Sequence, residues 1–309
     1  MIDSLEIKNY RRFKELKVHK LGMVNLIIGK NNTGKTSLLE ALYIYANRGD
    51  LTAIDRMVKQ RGEVVKNGDA EPFYSILNAF QSVYNSRYYD FEKSKSIVIG
   101  SLNKPENSYE FKPIMYKTEI NESIASKMFE GKTSINLSEV LETFINVTNP
   151  KKFQKDTQIG FQIKFGKEKP VVKTLDGLSE IFSFFNKPNQ KTLPCVFISS
   201  DSLTNARALE LWENISLTDN ETKITEIINL IDNSIERISF KGQNEKIPYL
   251  RIKGQKEPIA ARSLGEGTTR LLNLAISLYN CSGGILLIDE FENGLHYSIQ
   301  PSLFENLFL

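Results

Sequence analysis

The eight residues GKNNTGKT, Gly29–Thr36, match the pattern G-x-x-x-x-G-K-[ST] of a phosphate-binding loop. The apolar run Met23–Ile28 before them predicts a buried strand. Ser37–Asn47 after them lacks Gly and Pro and spaces its apolar residues as a helix with one buried side. The pattern requires a strand, a glycine-rich turn and a helix in this order, so the sequence predicts a P-loop rather than an accidental surface turn.

The chemistry of such a loop comes from backbone N–H groups and a helix N-terminus that point at phosphate oxygens. Gly29 and Gly34 permit the close backbone, Lys35 is expected to reach the β- and γ-phosphates, and Thr36 is expected to bind Mg²⁺. We therefore expect ATP and Mg²⁺ as ligands. The residues expected to contact the nucleotide are Gly29, Asn31, Asn32, Thr33, Gly34, Lys35, Thr36 and Ser37.

A second motif, GGILLIDE at Gly283–Glu290, has four apolar residues followed by two carboxylates. A parallel strand in a covered sheet delivers its carboxyl end to the ligand crevice, where an acidic pair is well placed for chemistry. Asp289 is expected to hold Mg²⁺, commonly through water. Glu290 is expected to orient and deprotonate the attacking water, which makes it, with Lys35, a predicted catalytic residue.

A third motif, SLGEGTTR at Ser263–Arg270, opens an apolar helix that continues to Leu278. The hydroxyl of Ser263, the backbone at Gly265 and Gly267 and the helix dipole together favour a second anion site for a γ-phosphate. The local alternative, in which Ser263 only caps the helix, stays open at this stage.

Composition excludes several classes of protein. A formal charge of +3, 40% hydrophobic and 25% charged residues fit an ordinary globular protein rather than a dedicated nucleic-acid binder. The two cysteines, Cys195 and Cys281, lie far apart without nearby metal-ligand partners. The start lacks a signal peptide, and no stretch is apolar enough to cross a bilayer, so we expect a cytoplasmic protein without membrane association.

The middle of the chain predicts an insertion. Between Gly49 and Leu193 short strands, at Ser96–Ile99 and Ile159–Phe165, alternate with helices predicted at Phe73–Tyr84 and Ser138–Val147. Residues 151–191 carry nine Lys against four acidic residues, which fits either a basic face for nucleic acid or, more simply, a solvated surface.

The three motifs, in this order, resemble the ABC/SMC superfamily, and their details look like the OLD-like AAA ATPases of bacterial phage-defence operons. The resembling segments are LEIKNYRRFKEL at the start of the chain, GKNNTGKTSLLEALY, ELWENISLT (Glu210–Thr218), SLGEGTTRLL and ILLIDEFENGLHYSIQP (Ile285–Pro301). The resemblance implies an α/β fold, an ABC/SMC-type P-loop ATPase head with a mixed central sheet flanked by helices. Residues 1–50 and 193–309 would form this head, and 51–192 a large α+β insertion.

In such families the signature segment of one head contacts the γ-phosphate that another head holds. The resemblance therefore implies a homo-oligomer of head-to-head dimers, with Ser263, Gly265 and Gly267 acting on the partner's ATP. It also makes Arg11 a candidate phosphate contact, with an exposed arginine at a strand end as the alternative. His296, in ENGLH, would lie near the dimer seam, where packing is as well supported as catalysis.

One departure concerns the switch histidine, which such heads carry on a strand after the acidic motif. The sequence ends at Leu309 without it, so we expect ATP binding to be more secure than efficient hydrolysis. Gln60 and Gln81 are weak candidates for a nucleotide-sensing glutamine.

The leading hypothesis is an ATPase that controls an associated effector, such as a nuclease, in anti-phage defence. One rival is a DNA-repair or recombination ATPase that binds DNA directly. The other is an ATP-binding scaffold with little turnover.

Overall fold

The computed structural model describes residues 2–63, 81–89, 95–118, 144–146, 157–168, 170–174 and 193–308. Its contacts divide the chain into two compact units, each made of two stretches of sequence. The first unit combines Met1–Ser37 with Arg48–Lys191, and the second combines Leu38–Asn47 with Thr192–Leu309. The two units follow the contacts between residues, whereas head and insertion were inferred from sequence motifs. The predicted division into head and insertion therefore stays a prediction.

The first unit is built on an antiparallel sheet in the order β2-β1-β3-β4-β6-β7, with β5 paired to β4. On β1 the residues Leu5 and Ile7 are fully buried while Glu6 and Lys8 between them are not, as expected for a strand with one face in a core. The strands are β1 (Leu5–Tyr10), β2 (Phe13–Val18), β3 (Ile97–Gly100), β4 (Ser108–Thr118), β5 (Phe144–Asn146), β6 (Thr157–Phe165) and β7 (Val171–Thr174).

Among residues 2–63, two helices follow β2. Helix α1 (Lys35–Ala46) starts directly after the glycine-rich loop and runs from the first unit into the second. Helix α2 (Leu51–Gln60) follows it and ends at the weak sensing candidate Gln60. The predictions of α1, β3 and β6 are confirmed to within two residues at their ends.

The segment Met23–Ile28 corrects one prediction. It is not a strand in the structure, and Met23, Leu26 and Ile28 are 89%, 80% and 83% exposed. A strand needs a neighbour to satisfy its backbone N–H and C=O groups, and no described strand pairs with this segment. Its apolar composition alone therefore did not determine its conformation.

Only parts of the two helices predicted in the insertion can be compared with the structure. Of the helix predicted for Phe73–Tyr84, Gln81 is helical, residues 82–83 form a turn, and Tyr84 pairs with Tyr10 in an isolated bridge. Phe144–Asn146, inside the helix predicted for Ser138–Val147, forms strand β5 on the edge of β4, so that prediction is wrong there. The rest of that prediction and residues 73–80 lie outside the described residues.

The second unit contains a parallel pair of strands and a three-stranded antiparallel sheet. Strands β8 (Cys195–Ile198) and β12 (Ile285–Ile288) run parallel in register, Cys195 beside Ile285. The antiparallel sheet has the order β11-β10-β9. Its strands are β9 (Ile235–Lys241), β10 (Ile247–Ile252) and β11 (Ile259–Ala260).

The helices of the second unit pack around one apolar core. They are α3 (Asn205–Glu213), α4 (Asp219–Ile228), α5 (Glu266–Asn280) and α6 (Gln300–Phe308). Thr204 and Thr218 cap α3 and α4, each accepting a hydrogen bond from a backbone N–H of the first turn. Helix α5 is buried on almost every side, with Leu271, Leu272 and Leu274 fully excluded from solvent.

The protein is thus a mixed α/β fold of strands and packed helices, as the sequence predicts. Among the residues described, no helix is both long and apolar enough to span a membrane.

Candidate functional site

The glycine-rich loop has the backbone of a phosphate cradle. Asn32 and Gly34 both have positive φ, +63° and +106°, and α1 begins at the next residue, Lys35. Thr33 closes the turn by donating from its hydroxyl to the carbonyl oxygen of Lys30 at 2.8 Å. Positive φ at every second residue of a loop turns successive backbone N–H groups toward one side, which is the geometry that binds anions.

Lys35 is folded onto its own loop. Its Nζ donates to the carbonyl oxygens of Gly29, at 2.7 Å, and Lys30, at 3.1 Å. The ammonium group therefore already lies inside the loop, where a bound phosphate would replace these carbonyls as its partner. The role of Lys35 in binding phosphate stays a prediction.

The loop packs against the turn between β1 and β2. A Cβ added at Gly34 would lie 2.9 Å from the Phe13 ring, so only glycine fits there. Arg12, in the same turn, donates from Nη2 to the carbonyl oxygen of Asn32 at 2.9 Å. Sequence reasoning missed Arg12, because its nearness to the loop depends on how the hairpin turns.

Arg11 has a different environment. Its side chain is 4% exposed, and Nη1 lies 3.0 Å from both carboxylate oxygens of Glu63. Ser82 donates to the same carboxylate at 2.9 Å. The alternative of an exposed arginine is therefore wrong, and the phosphate contact expected of Arg11 stays a prediction.

The acidic turn follows the parallel pair of strands. The N–H of Asp289 donates to the carbonyl oxygen of Ile198 at 2.9 Å, which extends the ladder by one residue. Asp289 is 6% exposed, whereas the next residue, Glu290, is exposed and has φ +48°. The turn therefore presents one buried and one accessible carboxylate at the carboxyl end of β12.

A buried arginine from α5 ties this turn together. Arg270, 4% exposed, donates to the carbonyl oxygens of Ser199, Asp289 and Glu290 at 2.8, 2.8 and 3.1 Å. Burial lowers the pKa of Arg270, while the nearby carboxylates of Asp289, Glu290 and Glu292 act in the opposite direction. Sequence reasoning quoted Arg270 in the signature segment without giving it a role. The signal was a charged residue directly before a run of core leucines.

The signature segment begins with a short 3-10 helix, Ala261–Leu264, and the first residue of α5 follows Gly265. Gly265 has φ +104° and occupies the N-cap position, and no side chain caps the helix. Ser263 is exposed and lies two residues before this cap. The alternative of a capping serine is therefore wrong, and the hydroxyl is available at the surface.

Gly267 brings the signature segment against the loop after the acidic turn. A Cβ added there would lie 2.8 Å from the carbonyl oxygen of Gly294. The signature residues and the acidic pair thus belong to one packed region of the second unit. His296, farther along the same loop, is exposed, with Nδ1 2.7 Å from the Ser298 hydroxyl and its ring 4.3 Å from that of Tyr297.

The donor atoms fit Mg-ATP. The loop offers backbone N–H groups, the Lys35 ammonium and the Thr36 hydroxyl, and Asp289 offers an anionic oxygen, the kind of ligand that Mg²⁺ prefers. The glycine-rich loop belongs to the first unit and the acidic turn to the second. The described residues contain no group of three or more His, Cys, Asp or Glu that could hold a metal by themselves.

The chain is similar to several characterised proteins. It is 25% identical over 312 residues to an ATP/GTP phosphatase of Helicobacter pylori, a match that covers 99% of this chain and 80% of the relative. It is 32% identical over 107 residues to the DNA replication and repair protein RecF of Lactobacillus acidophilus, covering 35% of this chain and 28% of the relative. A RecF of Bacillus cytotoxicus is 44% identical over 45 residues, 15% of this chain and 12% of that protein.

The family match extends over nearly the whole sequence. Residues 1–308 match the AAA ATPase domain family, so the match includes the glycine-rich loop, the signature segment and the acidic turn. The chain therefore belongs to the AAA ATPase domain family.

Proposed function

We propose that this protein binds Mg-ATP and hydrolyses it to ADP and phosphate. The observation that carries the proposal is the loop at Gly29–Thr36, with left-handed backbone at Asn32 and Gly34 and the Lys35 ammonium folded into it. The family match and the similarity to an ATP/GTP phosphatase support the same reaction class.

The roles follow from the chemistry of each group. The loop N–H groups and Lys35 bind the phosphate oxygens, and Thr36 and Asp289 would each offer an oxygen ligand to Mg²⁺. The ion, when bound, neutralises charge that develops on the phosphates. Glu290 takes the proton of the attacking water, and its exposure leaves the carboxylate accessible to that water.

Substitution of the loop lysine tests the proposal. Lys35→Ala removes the ammonium that the loop folds inward, so we expect ATP affinity to fall at least about tenfold, as for a lost charged hydrogen bond. Lys30→Ala is the matched control, since Lys30 is exposed in the same loop and its contacts to Thr33 and Lys35 come from its backbone. Calorimetric titration with Mg-ATP measures both. Equal affinity of Lys35→Ala and the parent would refute the site.

We further propose that the protein acts as a head-to-head dimer. Exposed Ser263 and Gly265 beside an uncapped helix N-terminus support contact with a γ-phosphate held by a second copy, so that ATP joins two heads. By family resemblance the assembly would control an effector, such as a nuclease in anti-phage defence. Co-purification of a neighbouring gene's product, dependent on ATP, tests this step.

A second candidate function is direct DNA binding in repair or recombination. The likeness to RecF over 107 residues favours it. Because phosphate contacts dominate such binding, the expected sign is duplex DNA affinity that falls steeply with salt. A fluorescence anisotropy titration at two salt concentrations distinguishes it from the effector proposal, which needs no DNA affinity.

A further inference from the structure

Glu290, the proposed general base, has an unusual backbone conformation for a residue with a side chain. Its φ of +48° lies in the left-handed region, which residues with a Cβ rarely adopt. The carboxylate direction depends on this φ, since rotation about N–Cα swings Cβ to another side of the turn. Something in the surrounding structure must therefore keep the turn in place.

The turn has backbone hydrogen bonds, from the N–H of Asp289 to Ile198 and from the N–H of Asn293 to Glu290. Arg270 adds side-chain hydrogen bonds to it. Its Nη2 donates to the carbonyl oxygens of both Asp289 and Glu290. These two carbonyls belong to the peptide groups on either side of Glu290, so Arg270 holds the backbone before and after the left-handed residue. Its Nη1 donates to the carbonyl oxygen of Ser199, at the end of the neighbouring parallel strand. The arginine is anchored, because α5 is buried in the core.

We propose that Arg270 is a positioning residue, which holds the turn at Asp289 and Glu290 in its left-handed form and so aims the Glu290 carboxylate. The inference rests on the proposed role of Glu290 as general base. Arg270 itself contacts only backbone carbonyls in the described structure and acts through Glu290.

The same helix provides a matched control. Asn273, 2% exposed, donates from Nδ2 to the hydroxyl of Ser202 at 2.8 Å. Ser202 also has positive φ, +69°, in the turn after β8. Asn273→Ala therefore removes a buried hydrogen bond from α5 to a left-handed turn without touching Glu290.

A double-mutant cycle of unfolding measurements tests, without any hydrolysis, whether Arg270 holds the turn at Glu290. Because glycine accepts positive φ freely, E290G should have a higher urea midpoint than E290A. In the R270K background the turn is released, and this gap should shrink by at least half. In the N273A background it should persist. Unfolding is followed by fluorescence of Trp212, the single tryptophan, which is buried in the second unit. An unchanged gap in R270K would overturn the proposal.

A kinetic cycle tests the consequence for catalysis. R270K should lower kcat by about tenfold to a hundredfold, as expected when a catalytic group is misplaced by about 1 Å, with the Kd for ATP unchanged. The R270K/E290Q double variant should hydrolyse no more slowly than E290Q, since both changes act on one carboxylate. Losses that multiply would contradict the proposal. If E290Q alone keeps parental kcat, the assignment of Glu290 as the general base fails. The unfolding measurements still show whether Arg270 holds the turn.

Discussion

The Arg12 guanidinium lies against the phosphate loop, with Nη2 2.9 Å from the carbonyl oxygen of Asn32, twenty residues farther along the chain. Asn32 has a left-handed backbone, so this hydrogen bond supports the conformation that turns the loop N–H groups outward. Arg11, its neighbour, is held instead by Glu63. Two adjacent arginines therefore have separable roles.

We expect Arg12→Ala to weaken ATP binding about threefold to tenfold, the effect of one lost hydrogen bond from a charged donor. Stability should hardly change, because Arg12 is exposed. Calorimetric titration measures the affinity. Arg12→Lys, which keeps the charge without the planar donor geometry, should restore part of it. Full affinity in Arg12→Ala would show that the hydrogen bond to Asn32 is incidental.

Arg11→Ala should instead destabilise the first unit by about 1 to 3 kcal/mol, because it leaves the largely buried Glu63 carboxylate with only the Ser82 hydroxyl and the exposed Arg87, whose Nη2 lies 3.6 Å away. Urea unfolding followed by circular dichroism measures the loss. Arg11→Ala with Glu63→Gln should recover much of it, since the uncompensated charge is gone. A stable Arg11→Ala protein that no longer binds ATP would instead favour the phosphate role.

Ser263→Arg should leave folding and ATP binding intact and abolish ATP-dependent association of heads. Ser263 is exposed and caps no helix, so its replacement should change stability by less than about 0.5 kcal/mol. A bulky side chain there would obstruct a γ-phosphate on a partner. Light scattering with and without a non-hydrolysable ATP analogue measures association. Ser282→Arg, an exposed serine after the opposite end of α5, is the control and should associate normally. Continued association of Ser263→Arg would remove the support for signature contact in trans.

Stability should fall at alkaline pH through a buried thiol. Burial raises the pKa of Cys281 to about 11, and the pKa of an unfolded thiol is about 8.5. Between these values the unfolded chain loses a proton that the folded chain keeps. The free energy of unfolding should therefore drop by up to about 1.4 kcal/mol per pH unit from this group. Below pH 8 its contribution is constant.

Urea midpoints of the parent and Cys281→Ala at pH 8 and pH 10 measure this term. Trp212 fluorescence reports the transition, because the ring is 6% exposed and packs 6.0 Å from Phe240. Cys281 also helps to raise the pKa of Cys195, so Cys195→Ala and the double variant Cys195→Ala/Cys281→Ala are compared in the same way, and the difference between their slopes isolates the Cys281 thiol. Parallel slopes would contradict the prediction.

The sequence predicted the elements whose residue pattern is local, or strongly apolar and bounded by turn residues. Helix α5 and strand β12 were found because each has a run of core residues bounded by turn signals. Met23–Ile28 was misassigned for the same reason: it has the composition of a buried strand, but strand formation depends on a neighbour that composition cannot specify.

The site was predicted in its motifs and missed in its supports. Gly34 and Glu290 could be chosen as candidate site residues because the chemistry expected of them is tied to fixed spacing. The links from Arg11 to Glu63 and from Arg270 to the acidic turn join residues 52 and 19 or 20 positions apart, and they depend on the fold. An arginine in these contexts reads as an ordinary surface residue until its burial is known.

The second unit is discontinuous in sequence, with Leu38–Asn47 separated from Thr192–Leu309 by most of the first. On the ribosome, the rest of the unit to which Leu39 and Ile44 belong does not exist until translation has passed all of 48–191, a delay of about 10 to 30 s at ordinary elongation rates. Nine of the twelve residues of α1, Leu38–Ala46, must wait during that interval without the rest of their unit. Synthesis of α1 and synthesis of the rest of its unit are thus separated in time, and this interval is when the chain is most exposed to misfolding.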